Sequence, residues 1–218
     1  QAVDRALNKR AEVIEQRRLD KLIREEVALR TAELEREKES LRLMSVSIAE
    51  TLINAMEAKD LYLRGHSQRV AELAGQLAEE LDLDEATCED LRVAGRLHDV
   101  GKIGIREAIL NKPDRLTFDE FEHVKRHVQI GLDILAPLFH IKQPLKYVEH
   151  HHEHWDGAGY PLGLAGEDIP LGARILCAAD TFDALTSKRA YREPLEPMAA
   201  LEHLKVDVGK QFDPCVYD

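Results

Sequence analysis

His98 and Asp99 stand side by side at the end of an apolar stretch, AGRLHDVGKIGI at 94–105. An adjacent imidazole and carboxylate can serve two metal ions at once, with the carboxylate bridging them. Alone, such a pair is weak evidence, because a helix can equally end in a histidine followed by an exposed aspartate. Its company adds weight: His66 on the preceding helical segment, His127 on the segment that opens at Thr117, the pair His151 and His152 within EHHHEHWDGAGYP, and Asp180 within ILCAADTFDAL. Asp180 lies in an apolar setting, where a carboxylate needs a partner and a metal ion is a common one. Mixed His and Asp ligands suit Fe, Mn, Zn or Ni, and are too nitrogen-rich for a dedicated Mg or Ca site. No cysteine belongs to the set, which argues against a structural zinc knot.

Residues so far apart in sequence must be gathered by the ends and inner faces of separate helices, as in helical metal sites generally. From about residue 59 apolar residues recur every three or four positions, which predicts helices over 66–81, 85–98, 117–135, 143–152, 172–186 and 197–205. Thr117 and Glu120 have the spacing of a capping box at the start of the third. No stretch alternates as a strand would, so the fold is read as all-α. WDGAGYPLGLAGEDIP, 155–170, carries too much Gly and Pro for a helix, and irregular segments of that length are commonly functional.

Residues 1–58 contain no Pro or Gly and are crowded with Arg, Lys and Glu, which predicts one long exposed helix. Val27, Leu34, Leu41 and Ile48 recur at sevenfold spacing, joined by Ile23 and Met44, while Arg30 and Glu37 interrupt the other seam position. This weak heptad leaves two readings open, a dimeric parallel coiled coil or a solvated helix packed on its own domain. Asp20 with Arg24 and Glu26 with Arg30 are i,i+4 partners on the same helix. The expected division is a helical linker over 1–58 and a globular domain over 59–218.

A formal charge of −11 disfavours binding along a nucleic-acid polymer, which relies on neutralising many phosphates. A small phosphorylated ligand needs only local positive charge, which metal ions can supply. No apolar run approaches the roughly 20 residues needed to cross a bilayer, and the first residues lack a secretory-signal pattern. Cys88, Cys177 and Cys215 are odd in number and widely spaced, so a reducing, cytoplasmic compartment is expected. Both ends are expected to be cuts from a longer protein.

HDVGK at 98–102, HHEHWDGAGYP at 151–161 and DTFDALTSKRAYR at 180–192 together resemble the HD-GYP family, the branch of the HD metal-dependent phosphohydrolases that degrades cyclic di-GMP in bacterial signalling. The likeness runs from about His66 to Pro214. It implies an HD-type helical bundle with a Gly/Pro-rich GYP loop and two divalent ions, Fe or Mn, with Ni or Zn as alternatives. It implies one ion held by His66, His98, Asp99 and Asp180, and a second held by Asp99, His127, His151 and His152. Lys102 matches the family lysine beside the scissile phosphate, Tyr160 a ligand contact in the GYP turn, and Arg189 and Arg192 basic contacts to the dinucleotide. Asp183, expected in the substrate-binding set, matches a family aspartate near the metals. Tyr62 stands where some members carry a glutamate for a third metal, which favours two.

The activity so implied is hydrolysis of cyclic di-GMP by metal-activated water to linear pGpG or GMP. Alternatives are a catalytically weak sensor or interaction module, and an HD phosphohydrolase for another cyclic dinucleotide or a mononucleotide. An upstream receiver or sensory domain and a homodimer through the long helix complete the picture. The pattern selects His127 over His123 as the ligand. His150 and His154 are expected bystanders, and Glu153 is expected to support the neighbouring imidazoles.

Overall fold

The computed structural model describes residues 2–57, 65–112, 114–138, 141–188 and 193–218. Among these residues ten α-helices follow in chain order: α1 (Ala2–Glu57), α2 (His66–Glu80), α3 (Glu85–Leu97), α4 (Glu107–Leu110), α5 (Phe118–Lys125), α6 (His127–Leu135), α7 (Lys142–His150), α8 (Leu171–Thr186), α9 (Pro197–Lys205) and α10 (Pro214–Tyr217). Short 3₁₀ turns occupy Val100–Gly104 and Gly166–Asp168. Among the described residues there is no strand, only one isolated bridge between Val208 and Phe212.

The chain divides into two compact units, Gln1–Met44 and Ser45–Asp218. The first is a single stretch of helix dressed with charge pairs. Arg30 Nε meets Glu26 at 3.0 Å and Arg30 Nη1 meets Glu33 at 3.0 Å, while Asp20 accepts from Gln16 Nε2 at 3.1 Å. Ile23, Val27, Leu34, Leu41 and Met44 are all exposed.

The second unit begins earlier than the sequence suggested. Val46, Ala49 and Ile53, spaced three and four apart on α1, are buried against Val93, Leu97, Val100, Leu135 and Ile141. These turns belong to the bundle core because their apolar face is covered, so the compact unit starts at Ser45 and not at residue 59. The main core lies where α2, α3, α7 and α8 meet: Val70, Ala74, Leu91, Ala94, Val148, Ile175 and Leu176 are all fully buried. Each large aliphatic side chain so placed contributes about 1.5–3 kcal/mol.

Two differences from the expected helices bear on the site. The 117–135 segment is two helices, because at Arg126 the backbone N–H bonds to His123 O at 3.3 Å, a tighter i−3 turn that makes His127 the first residue of α6. At its start the capping box is complete, with Thr117 Oγ1 and the Glu120 carboxylate each accepting from the other's backbone. The second difference is that α7 ends at His150. His151 caps it and His152 follows in the turn, so the two adjacent histidines sit where the chain leaves the helix.

Candidate metal centre

Three of the histidines share one local device. His98 Nδ1 faces Gly95 O at 2.8 Å, His127 Nδ1 faces Val124 O at 2.8 Å, and His151 Nδ1 faces Val148 O at 2.6 Å. Each acceptor is the carbonyl three residues back, so the backbone fixes Nδ1 as the protonated nitrogen and leaves Nε2 with its lone pair. His66 uses a side chain instead, its Nδ1 lying 2.7 Å from Asp183 Oδ2. The Nε2 atoms of His66, His98, His127 and His151 are all buried and without a hydrogen-bond partner. An orphaned buried polar atom costs about 1–3 kcal/mol. Four of them in one place make a site that a cation fits.

The ligand-type atoms fall into triads whose members all lie within 4.8 Å of one another: His66, His98 and Asp180; His127, His151 and His152; and His98, Asp99 and His151. Asp99 stands between the first two. Its Oδ2 is 3.6 Å from His66 Nε2 and 3.5 Å from His98 Nε2, while its Oδ1 is 3.8 Å from His127 Nε2. Asp180 Oδ1 lies 3.2 Å from His66 Nε2 and 3.8 Å from His98 Nε2. One carboxylate thus presents an oxygen to each histidine set, which is the disposition a bridge requires.

Electrostatics favour the same occupant. Burial drives the pKa of His151 down to about 3, helped by His98 and His127, and burial lowers His127 and, more strongly, His152. These imidazoles are neutral and ready to donate electron pairs. Burial opposes charge on Asp99 and Asp180, yet Lys102 and the surrounding imidazoles hold Asp99 well below the usual carboxylate range, and His66 and His98 do the same for Asp180. Burial also opposes charge on His66, but Asp180 and Asp183 outweigh it and lift its pKa to about 9.

Lys102, in the 3₁₀ turn after the His-Asp pair, donates to Asp99 Oδ2 at 2.5 Å. The turn is set down tightly on α6, since a Cβ on Gly101 would lie 1.9 Å from His127 O. Tyr160 stacks on His152 at 4.7 Å between ring centroids, and its N–H bonds to His152 O at 3.0 Å. Gly159 permits that approach, because a Cβ there would come within 2.3 Å of His154 N. Arg189, Arg192 and Tyr62 lie outside the described residues.

Asp183 corrects the sequence reading. It is buried, with Oδ2 facing His66 Nδ1 at 2.7 Å and Arg69 Nη2 at 3.1 Å, and Oδ1 accepting from Arg69 Nε at 2.5 Å and Ser187 Oγ at 3.2 Å. No oxygen is left for a substrate, and the residue orients His66 instead. Glu153 also differs from expectation. Its carboxylate accepts from Leu162 N at 2.7 Å and Leu164 N at 3.0 Å, so it clamps the loop and not an imidazole of the centre. His150, expected as a bystander, is buried with Nδ1 4.0 Å from Glu153. His123 is partly buried and in none of the triads, and His203 is exposed.

Sequence reasoning missed Arg69, Phe121 and Lys125. Arg69 follows His66 by three residues and Asp183 follows Asp180 by three, so the two pairs face one another across α2 and α8, a signal the i,i+3 spacing does carry. Phe121 packs edge-on to Tyr160 at 6.3 Å, and Lys125 Nζ lies 5.0 Å from the Phe121 ring and 5.4 Å from that of Tyr160. They extend the wall beside His152.

Comparison with known proteins gives the family. The HD domain family matches residues 50–216. The chain is 42% identical over 185 residues to the cyclic di-GMP phosphodiesterase response regulator RpfG of Xanthomonas campestris pv. campestris, covering 84% of this chain and 47% of that one. It is 39% identical over 178 residues to the 3′3′-cGAMP-specific phosphodiesterase 2 of Vibrio cholerae, covering 80% and 34%. The chain therefore spans about half or less of these relatives. In fold it is similar to the crystal structure of V-cGAP3, a cyclic GMP-AMP specific phosphodiesterase of V. cholerae, with a TM-score of 0.57 at 21% identity, over 78% of this chain and 46% of that one.

Proposed function

Because the chain belongs to the HD domain family, in its HD-GYP branch, we propose that it is a metal-dependent phosphodiesterase that hydrolyses cyclic di-GMP. The observation that carries this reading is the pair of histidine sets sharing Asp99, with four buried Nε2 atoms aimed at a common space. His66, His98, Asp99 and Asp180 would hold one divalent ion and Asp99, His127, His151 and His152 the other, the family resemblance pointing to Fe or Mn, with Ni or Zn also suited to these donors. Bound there, such ions supply Lewis acidity and an activated water for attack on phosphorus.

The chain's own residues do the rest. Asp99 spaces the two sets and stays ionised. Lys102 carries its ammonium beside Asp99, where it stabilises negative charge developing on a phosphate. Burial raises the pKa of Tyr160, so its phenol remains protonated and can donate a hydrogen bond while its ring walls the pocket. Arg189 and Arg192 supply charge for the second phosphate. The product is pGpG, GMP or both. The exposed heptad of α1 joins two copies in a parallel coiled coil below an upstream sensory domain, and the protein works in the cytoplasm.

One specific observation keeps a second substrate in view, the similarity to a relative named for 3′3′-cGAMP. The test is turnover of cyclic di-GMP, 3′3′-cGAMP and a mononucleotide diester by protein loaded with Fe or Mn under nitrogen, with metal content measured in parallel. Cyclic di-GMP should be cleaved fastest, and Asp99→Ala should lose both metals and all turnover. Full activity in a metal-replete Asp99→Ala protein would overturn the scheme. Tight binding without cleavage by the loaded wild type would establish the sensor reading instead.

A further inference from the structure

Glu57 is the last residue of α1, and it is 4% exposed. Its Oε2 accepts from Gly65 N at 2.7 Å, and its Oε1 accepts from Ser67 N at 2.9 Å and Ser67 Oγ at 2.6 Å. The residue between these two is His66. Gly65 occupies the N-cap of α2 and has no side chain with which to satisfy the helix's first donors, four of which lack an intrahelical partner in any helix. Glu57 takes that duty from another helix, and its negative charge suits the positive end of the α2 dipole.

We propose that Glu57 is a positioning residue for the metal centre, holding the backbone on both sides of His66 and so setting the affinity of the ion that His66 binds. His66 is then fixed twice. Asp183 holds its ring at Nδ1, and Glu57 holds its main chain against the end of α1. Without Glu57 the N–H groups of Gly65 and Ser67 lose their acceptor, the first turn of α2 loosens, and His66 is the first residue of that turn. The neighbouring His127, His151 and His152 are carried by α6 and by the end of α7, which Glu57 does not bond. The effect should therefore fall on one ion and spare the other.

This inference rests on the two-ion reading of the centre, and one experiment separates the two. Mn²⁺ is titrated into the metal-free chain and its stepwise affinities are read by calorimetry for wild type, Glu57→Ala, Glu57→Gln and Asp84→Ala. Asp84 is the N-cap of α3, accepting from Thr87 N at 2.8 Å and in none of the triads, so its removal reports a merely structural cap. Glu57→Ala should weaken one step about 10–100-fold, the usual effect of removing support behind a metal ligand, and leave the other unchanged. Glu57→Gln keeps the volume and one acceptor oxygen and should fall between; it carries the same comparison if the alanine variant does not fold. Asp84→Ala should lower the melting temperature with both affinities intact. Wild-type affinities in folded Glu57→Ala, or equal weakening of both steps, would overturn the role of Glu57 while leaving two ions in place. A wild-type chain that binds fewer than two ions would overturn the two-ion reading and this inference with it.

Discussion

A metal-binding imidazole must present the correct nitrogen, and here the backbone makes the choice for His98, His127 and His151 through carbonyls three residues back. His66 is the first residue of its helix, and there Asp183 takes the place of the carbonyl. Burial would raise the pKa of Asp183, but the hydrogen bonds from His66 and Arg69 prevail and hold it at about 2. Since the folded value lies below the ordinary carboxylate pKa, the ionised residue stabilises the fold by about 2 kcal/mol. That contribution is complete above about pH 4 and is lost as the pH falls through about 2. In the metal-free chain, Asp183→Asn should therefore be less stable than wild type at neutral pH, with the gap closing between pH 4 and 2 in denaturant titrations. The residues of the centre were legible because His98-Asp99 and His151-His152 are unusual dipeptides in helical surroundings. The duty of Asp183 was not, because it depends on which helix lies opposite, and no spacing within α8 states that.

At the scale of elements, the centre depends on how closely short pieces approach. The Val100–Gly104 turn sits against α6 only because residue 101 lacks a side chain, a Cβ there falling 1.9 Å from His127 O and 2.5 Å from Gly131 N. Gly101→Ala must push the turn and α6 apart, moving Lys102 and His127 together. The expected outcome is a loss of about 1–3 kcal/mol of stability and of turnover, read from melting curves and kinetics on the same preparation. Glu153→Gln should act on the loop alone. It weakens the clamp on Leu162 and Leu164, raises KM more than it lowers metal content, and should make the loop a protease target in limited digestion. The helices themselves were readable from periodicity. The break at Arg126 was not, because Val124, Val128 and Leu135 continue the apolar pattern across it and the bend is imposed by a single tightened turn.

For the whole molecule, the division at Ser45 makes a simple prediction. Among the described residues every buried core cluster lies within Ser45–Asp218, so a chain lacking residues 1–44 should fold and bind the same number of metal ions. Sedimentation should find it monomeric and the longer chain dimeric. Metal should stabilise both, by about 2.7 kcal/mol at a free concentration one hundred times Kd, and a chelator should reverse the gain. Periodicity alone misplaced this boundary, because an uninterrupted α1 gives no local sign of where burial begins. Trp155, the chain's only tryptophan, opens the Gly/Pro-rich loop, with its N–H on Gln211 O and the guanidinium of Arg174 5.6 Å from its ring. Any rearrangement that lifts the loop changes the polarity around this indole. The molecule therefore carries its own fluorophore at the start of the loop that bears Tyr160, and a shift of that loop should be readable by emission from the native chain without a label.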